Sequence, residues 1–147
     1  MTREEQEKVK SKGYALAMRY LNNAKDVLRN AGREGDDDMA FKDTKYVSSA
    51  SGIAYRGVLF AVRTWLESKD VKFPEADARG MNKGISIDFY RRHLTKHDKK
   101  LLRDLNLVYN DLHLSGYYDC TNSVSTINAG LKIAKDIIER VKPQGVA

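Results

Sequence analysis

The chain has one cysteine, two prolines and one tryptophan, and no apolar run near the length of a membrane span. Each scarcity excludes something. The single thiol, Cys120, can form no internal disulfide, and no Cys/His spacing suits zinc, so no structural metal is expected and a reducing, cytoplasmic setting is. Two prolines, Pro74 and Pro143, leave long stretches open to helix. No stretch approaches the roughly 20 apolar residues of a bilayer-crossing helix, and Met1-Thr2-Arg3-Glu4-Glu5 is charged where an export signal is apolar. A phosphate-cradling glycine loop, a nucleophile elbow and an HExxH pair are also missing, so the sequence carries no strong catalytic fingerprint and no cofactor is expected.

What is present is helix signal and unevenly placed charge. The 147 residues suit one domain, 1–147, with residues 1–10 and 142–147 expected to fray. Between Arg79 and Arg103 stand eight Lys/Arg (Arg79, Lys83, Arg91, Arg92, Lys96, Lys99, Lys100, Arg103) against Asp88 and Asp98. That segment holds the whole net charge of +6. Such a local positive field suits a polyanionic partner, although a solvated basic turn between helices has the same composition.

Spacing near 3.6 recurs along the chain, with no convincing alternating strand. A capping box, Thr2 with Glu5, predicts a first helix over about 3–31, with Tyr14, Ala17, Met18, Leu21, Ala24, Leu28 and Ala31 on one face and Gly32 as its stop. Residues 33–42 read as a loop. Its Asp36-Asp37-Asp38 run lacks the spaced ligands of a calcium site and reads as solvated acids. A second helix over about 43–68 carries Tyr46, Val47, Ala50, Ile53, Ala54, Gly57, Val58, Ala61, Val62, Trp65 and Leu66 inward, with Ala50, Ala54, Gly57 and Ala61 as a ribbon that another backbone can approach. Leu59 and Phe60 fall outside that stripe, Leu59 beside Arg56 and Arg63, which suggests cover by another element or a second subunit. After a loop at 69–84, helices are expected over about 87–96, 99–115 and 124–141, begun by Ser86, Asp98 and Ser123. Gly130 marks close packing. The fold class is all-α, an up-and-down bundle of four long helices and one short one.

Three groups could carry chemistry. His113, Tyr117, Tyr118 and Asp119 gather at a helix exit, where the macrodipole favours a protonated imidazole and where a histidine beside a tyrosine and an aspartate could act as a base or hold phosphate. Arg92 and His97 lie five apart; on a continuous helix they diverge, and they converge only if the helix ends between them or a second subunit supplies one. Tyr90, Arg91 and Arg92 could stack on and pair with nucleic acid, Tyr90 being equally suited to a core. The nucleic-acid-binding candidates are Arg91, Arg92, Lys96, Lys99, Lys100 and Arg103.

Ala24-Lys25-Asp26-Val27-Leu28, Val47 to Ala61 and His113-Leu114-Ser115-Gly116-Tyr117-Tyr118-Asp119 ahead of a final helix resemble, in their order, the HEPN family of small helical domains, in a stand-alone prokaryotic branch with a degenerate RNase motif. One branch carries Arg-x-x-Ala-Asp-Tyr-Asp in the third stretch. Tyr118 and Asp119 match it, whereas His113 stands in place of the arginine and Tyr117 in place of the first acid. The resemblance implies a homodimer, for which Leu59 and Phe60, lying outside the stripe, are the interface candidates. It also implies a choice between a metal-independent endoribonuclease of a toxin–antitoxin type, with Arg92, His97 and His113 as catalytic candidates, and a non-catalytic module. Because the family's Arg-to-His spacing is met only by Arg92 with His97, ahead of the helix whose end should carry it, the expectation is a non-catalytic homodimer binding nucleic acid, nucleotide or a protein partner. A plain protein-interaction module is the third alternative.

Overall fold

Thr2 and Glu5 close the box at the head of the first helix: the Thr2 hydroxyl accepts from the Glu5 amide, and the Glu5 carboxylate from the Thr2 amide, each at 3.1 Å. The computed structural model describes residues 1–74 and 85–143. Helix α1 runs Arg3–Leu28 and tightens into a 3₁₀ turn, Arg29–Ala31, before Gly32 turns the chain at φ 63°. The other helices are α2 (Thr44–Glu67), α3 (Ile87–His97), α4 (Lys99–Val108) and α5 (Val124–Arg140). With the helical continuation of α4 this is an all-α bundle of four long helices and one short. No helix among the described residues is long and apolar enough to cross a membrane.

The pair α1–α2 is the frame of the bundle, and small residues set its closeness. A Cβ placed on Gly57 would lie 2.8 Å from Tyr20 Cβ and 3.2 Å from the Ala17 carbonyl oxygen, and one on Gly13 would run into Thr64. Residue 13 faces 64 while 17 and 20 face 57, so the helices are antiparallel. The small ribbon read from sequence is the seam: Ala50, Ala54 and Ala61 are buried with it. The inward face of α2 is wider than its spacing suggested, taking in Ser51 and Tyr55, whereas Tyr46, Ile53 and Trp65 are only half-buried. Leu21, Val47, Val58, Val62, Leu66, Leu94, Leu101, Leu105, Leu112, Ile127, Ile137 and Ile138 form the fully buried centre.

One local expectation needs correction. Residues 33–42 are not all loop: Arg33–Glu34 and Ala40–Phe41 pair as an antiparallel hairpin around a 3₁₀ turn, Asp36–Asp38. Two-residue strands give no alternation to read. The hairpin is tied to the start of α5, where the Phe41 amide donates to the Asn122 carbonyl at 2.7 Å and the Val124 amide to the Met39 carbonyl at 3.1 Å. Of the loop expected at 69–84, residues 75–84, with Arg79 and Lys83, lie outside the described residues.

Asp98 makes the corner between α3 and α4 and ties it to α5. Its carboxylate caps α4 by accepting from the Leu101 amide at 3.0 Å, and accepts from Arg140 Nε at 2.9 Å and Nη2 at 3.2 Å. Burial alone would raise this carboxyl; the Arg140 hydrogen bonds, the Leu101 amide and the Arg140 charge outweigh it and hold Asp98 below its ordinary value. A depressed carboxyl stabilises the fold above its unfolded value near 3.8 and loses that contribution as pH falls through its folded value. Asp98→Asn keeps a capping side chain but drops the ion pair, whose partner Arg140 is 40% exposed. We expect a loss of about 1 kcal/mol at pH 7. Parallel unfolding curves of the two proteins should converge below about pH 4, and a gap independent of pH contradicts the assignment.

Candidate functional site

Helix α4 does not continue as an α-helix to residue 115. From Tyr109 to Tyr118 the chain is wound as a π-helix, and the Asp119 amide donates to the Leu114 carbonyl at 2.9 Å, five residues back. Such winding is rare and concentrates at functional sites. Small residues let it fit. A Cβ on Gly116 would collide with Ser51 of α2, and one on Gly130 of α5 would lie 2.7 Å from Leu112 Cδ2 and 2.9 Å from Asp111 Cβ. Ser48 Oγ donates to the Tyr117 carbonyl at 2.9 Å, and the Tyr117 ring lies against bare Gly52, where a Cβ would be 3.0 Å from its Cδ2. The segment is thus seated between α2 and α5 with its aromatic side chains turned along α2.

Those side chains form a ladder. The His113 ring stacks on Tyr55 at 4.6 Å between centroids, lies 5.0 Å from Tyr109 and runs nearly parallel to Tyr117 at 6.1 Å and 11°. Tyr118 meets His113 edge-on at 5.0 Å and Tyr117 edge-on at 5.1 Å. At the inner end the Arg91 guanidinium lies 5.0 Å over the Tyr109 ring. Burial lowers the His113 imidazole below its ordinary value, and burial first, then Tyr109 and Tyr90, raises the Tyr55 phenol. The protonated His113 expected at a helix end is therefore corrected: burial among the rings favours a neutral imidazole.

The outer half of the ladder opens on a groove of about 700 Å³ between α1, α2 and the π-helical segment, lined by Tyr20, Ser49, Gly52, Ile53, Tyr55, Arg56, Leu59, His113 and Tyr117. That volume lies in the range of small-ligand sites. Leu59 is half-buried on its wall, and Phe60 stacks on Tyr20 at 5.3 Å, so both have intramolecular surroundings. Tyr117 and Tyr118 remain 47% and 65% exposed.

The catalytic candidates are not brought together. Helix α3 is unbroken from Arg92 to His97, and their side chains diverge: the Arg92 guanidinium lies 5.5 Å over Phe89, and His97 meets Trp65 edge-on at 6.3 Å. His93 packs on Phe89 at 4.6 Å, while His113 sits in the ladder described above. Among the basic candidates Arg91 is occupied, donating to Asn106 at 2.7 Å and to Asp88 at 3.1 Å. Tyr90 is buried against Phe73, not free to stack on a base. Arg103 pairs with Asp104 at 3.6 Å. Arg92, Lys96, Lys99 and Lys100 are exposed, and among the described residues none pairs with a carboxylate. Asp119 is exposed beyond the ladder. Sequence reasoning missed Tyr20, Gly52, Tyr55 and Arg56 as groove residues. A signal existed in Ser49, Gly52, Arg56 and Leu59, which recur every three or four residues off the main stripe.

The family model that matches the chain is described as a domain of unknown function, DUF5618, and it matches residues 12–143. The chain belongs to that family. The matched span runs from early α1 to the end of α5 and so contains the whole ladder and groove. A solved structure, a protein of unknown function from Dyadobacter fermentans, is similar to this DUF5618 chain at 34% identity, over 90% of this chain and 94% of that one, with a TM-score of 0.71. No curated protein matches the chain.

Proposed function

We propose that this DUF5618 protein is a non-catalytic, HEPN-like homodimeric module of the reducing cytoplasm whose partner is nucleic acid. The observation that carries the reading is the set of exposed cations, none paired with a carboxylate among the described residues, at the α3–α4 corner: Arg92 and Lys96 on α3, Lys99 and Lys100 in the first turn of α4. Helix stability does not account for the last two. Cations in a first turn oppose the macrodipole, and α4 has no acid there beyond its cap, Asp98. Positive charge retained at that cost suits a phosphate backbone. The separate surroundings of Arg92, His97 and His113 support the non-catalytic part, since strand cleavage needs a base and a cation at one scissile bond. The test is RNA binding across a salt series with the four cations replaced.

Dimerisation rests on the HEPN likeness, with Leu59, half-buried on the groove wall beside exposed Arg56, as the interface residue. Leu59→Glu would bury an unpaired charge in such an interface and should convert the dimer to monomer. Light scattering at micromolar concentration reads the outcome. A monomeric parent chain contradicts this part of the reading and takes with it the HEPN likeness that suggested it.

A further inference from the structure

We infer that the Tyr117 end of the groove is a seat for one unpaired nucleobase, with Arg56 holding the phosphate attached to it. The inference takes its ligand class from the nucleic-acid reading above, but the site is separate from the α3–α4 corner. The groove follows Ser49, Gly52, Ile53, Arg56 and Leu59 along α2, about 15 Å of helix. Tyr117 lies at the Gly52 end and Leu59 toward the other, with Arg56, its guanidinium over the Phe60 ring, between them. At the Gly52 end Tyr117 and His113 line the groove, their rings parallel to within 11° and their centroids 6.1 Å apart.

Tyr117 is held where a stacking platform would be needed. Its carbonyl is fixed by Ser48 Oγ at 2.9 Å, its ring rests on Gly52, and 47% of its surface still faces outward. A ring that merely filled the core would be covered. Stacking a base on such a preordered face costs little side-chain entropy. Arg56 supplies charge complementarity. It is exposed, its guanidinium lies 6.0 Å from the centre of the Phe60 ring, and among the described residues no carboxylate pairs with it. Ser49, also exposed, adds a hydroxyl able to donate or accept at a base edge or ribose. Aromatic rings sharing a groove with an exposed guanidinium match a base bearing a phosphate better than an aliphatic side chain, which would leave the guanidinium unanswered.

Isothermal titration with AMP, adenosine, inorganic phosphate and p-cresol tests this, p-cresol standing for a partner protein's tyrosine. AMP should bind more tightly than adenosine, and both more tightly than phosphate or p-cresol. Tyr117→Ala should weaken AMP and adenosine alike, by roughly five- to a hundredfold for a lost stack, while Tyr117→Phe keeps the parent affinity. Arg56→Ala should bring AMP to the affinity of adenosine without changing adenosine. The double change Lys99→Ala, Lys100→Ala should weaken RNA and leave AMP untouched, which separates this site from the corner. The inference is overturned if phosphate competes as well as AMP, if p-cresol matches adenosine, if Tyr117→Ala is without effect, or if Tyr117→Ala dissociates the dimer with no change in AMP. RNA binding lost at the corner but AMP retained leaves the base seat standing; AMP unbound with RNA still held by the corner defeats the seat alone.

Discussion

Replacing Arg92, Lys96, Lys99 and Lys100 with alanine together is expected to weaken binding of a single-stranded RNA on the order of a thousandfold at about 50 mM salt. Each phosphate neutralised by a cation releases condensed counterions, and each contact contributes about 0.7 to the slope of log affinity against log salt. Four lost contacts should therefore flatten the slope by about 3. Folding should be untouched: the four side chains are exposed and none pairs with a carboxylate among the described residues. Removing positive charge from the first turn of α4 should, if anything, stabilise that helix. Arg91→Ala is the informative contrast. Its guanidinium is spent on Asn106, Asp88 and Tyr109, so it should cost stability and leave the salt slope near that of the parent. A quadruple variant that binds as the parent does, or a parent whose binding ignores salt, rules out the corner as a phosphate surface.

The second large effect is on the fold. Gly57→Val should destabilise the protein by about 3 kcal/mol, lowering the melting temperature by roughly 6–12 °C. The space for a side chain is closed by backbone, since the Ala17 carbonyl oxygen lies 3.2 Å from where a Cβ would stand. Backbone cannot swing aside as a lysine tip can, so α1 and α2 must separate along their whole seam. Gly57→Ala sharpens the test because two effects oppose each other. Helix propensity favours alanine over glycine by about 1 kcal/mol, while the clash opposes it by about 1–3 kcal/mol. Close packing predicts that the clash wins; an alanine variant more stable than its parent contradicts the seam described here.

The helices were legible because they announce themselves locally. Thr2 with Glu5, Asp98 and Ser123 each cap the helix expected of them, and the small ribbon at Ala50, Ala54, Gly57 and Ala61 is where the α1–α2 frame closes. Gly130 is likewise the point where Leu112 and Asp111 press on α5. What sequence did not carry was set by partners distant in the chain. The switch from α to π winding at Tyr109 depends on Ser51, Gly52 and Gly130 making room for it, and periodicity within 99–115 holds no trace of that. His113 was readable as a notable residue but not its state, because the rings that bury it include Tyr55 on another helix. Arg91 looked like a free cation until Asn106 and Tyr109 were seen to claim it. The groove was missed because it is built from the leftover face of α2 and from Tyr20 on α1, neither of which forms a motif.

The most direct test of the central claim, that this protein holds nucleic acid without cutting it, is recovery of a structured RNA after incubation with saturating protein in low salt and EDTA. The account predicts RNA that is retained on a filter by the protein and then runs at full length once released. Cleavage by the parent chain that disappears in Arg92→Ala, His97→Ala or His113→Ala would contradict it, because side chains that the fold holds in separate surroundings would then be acting on one scissile bond.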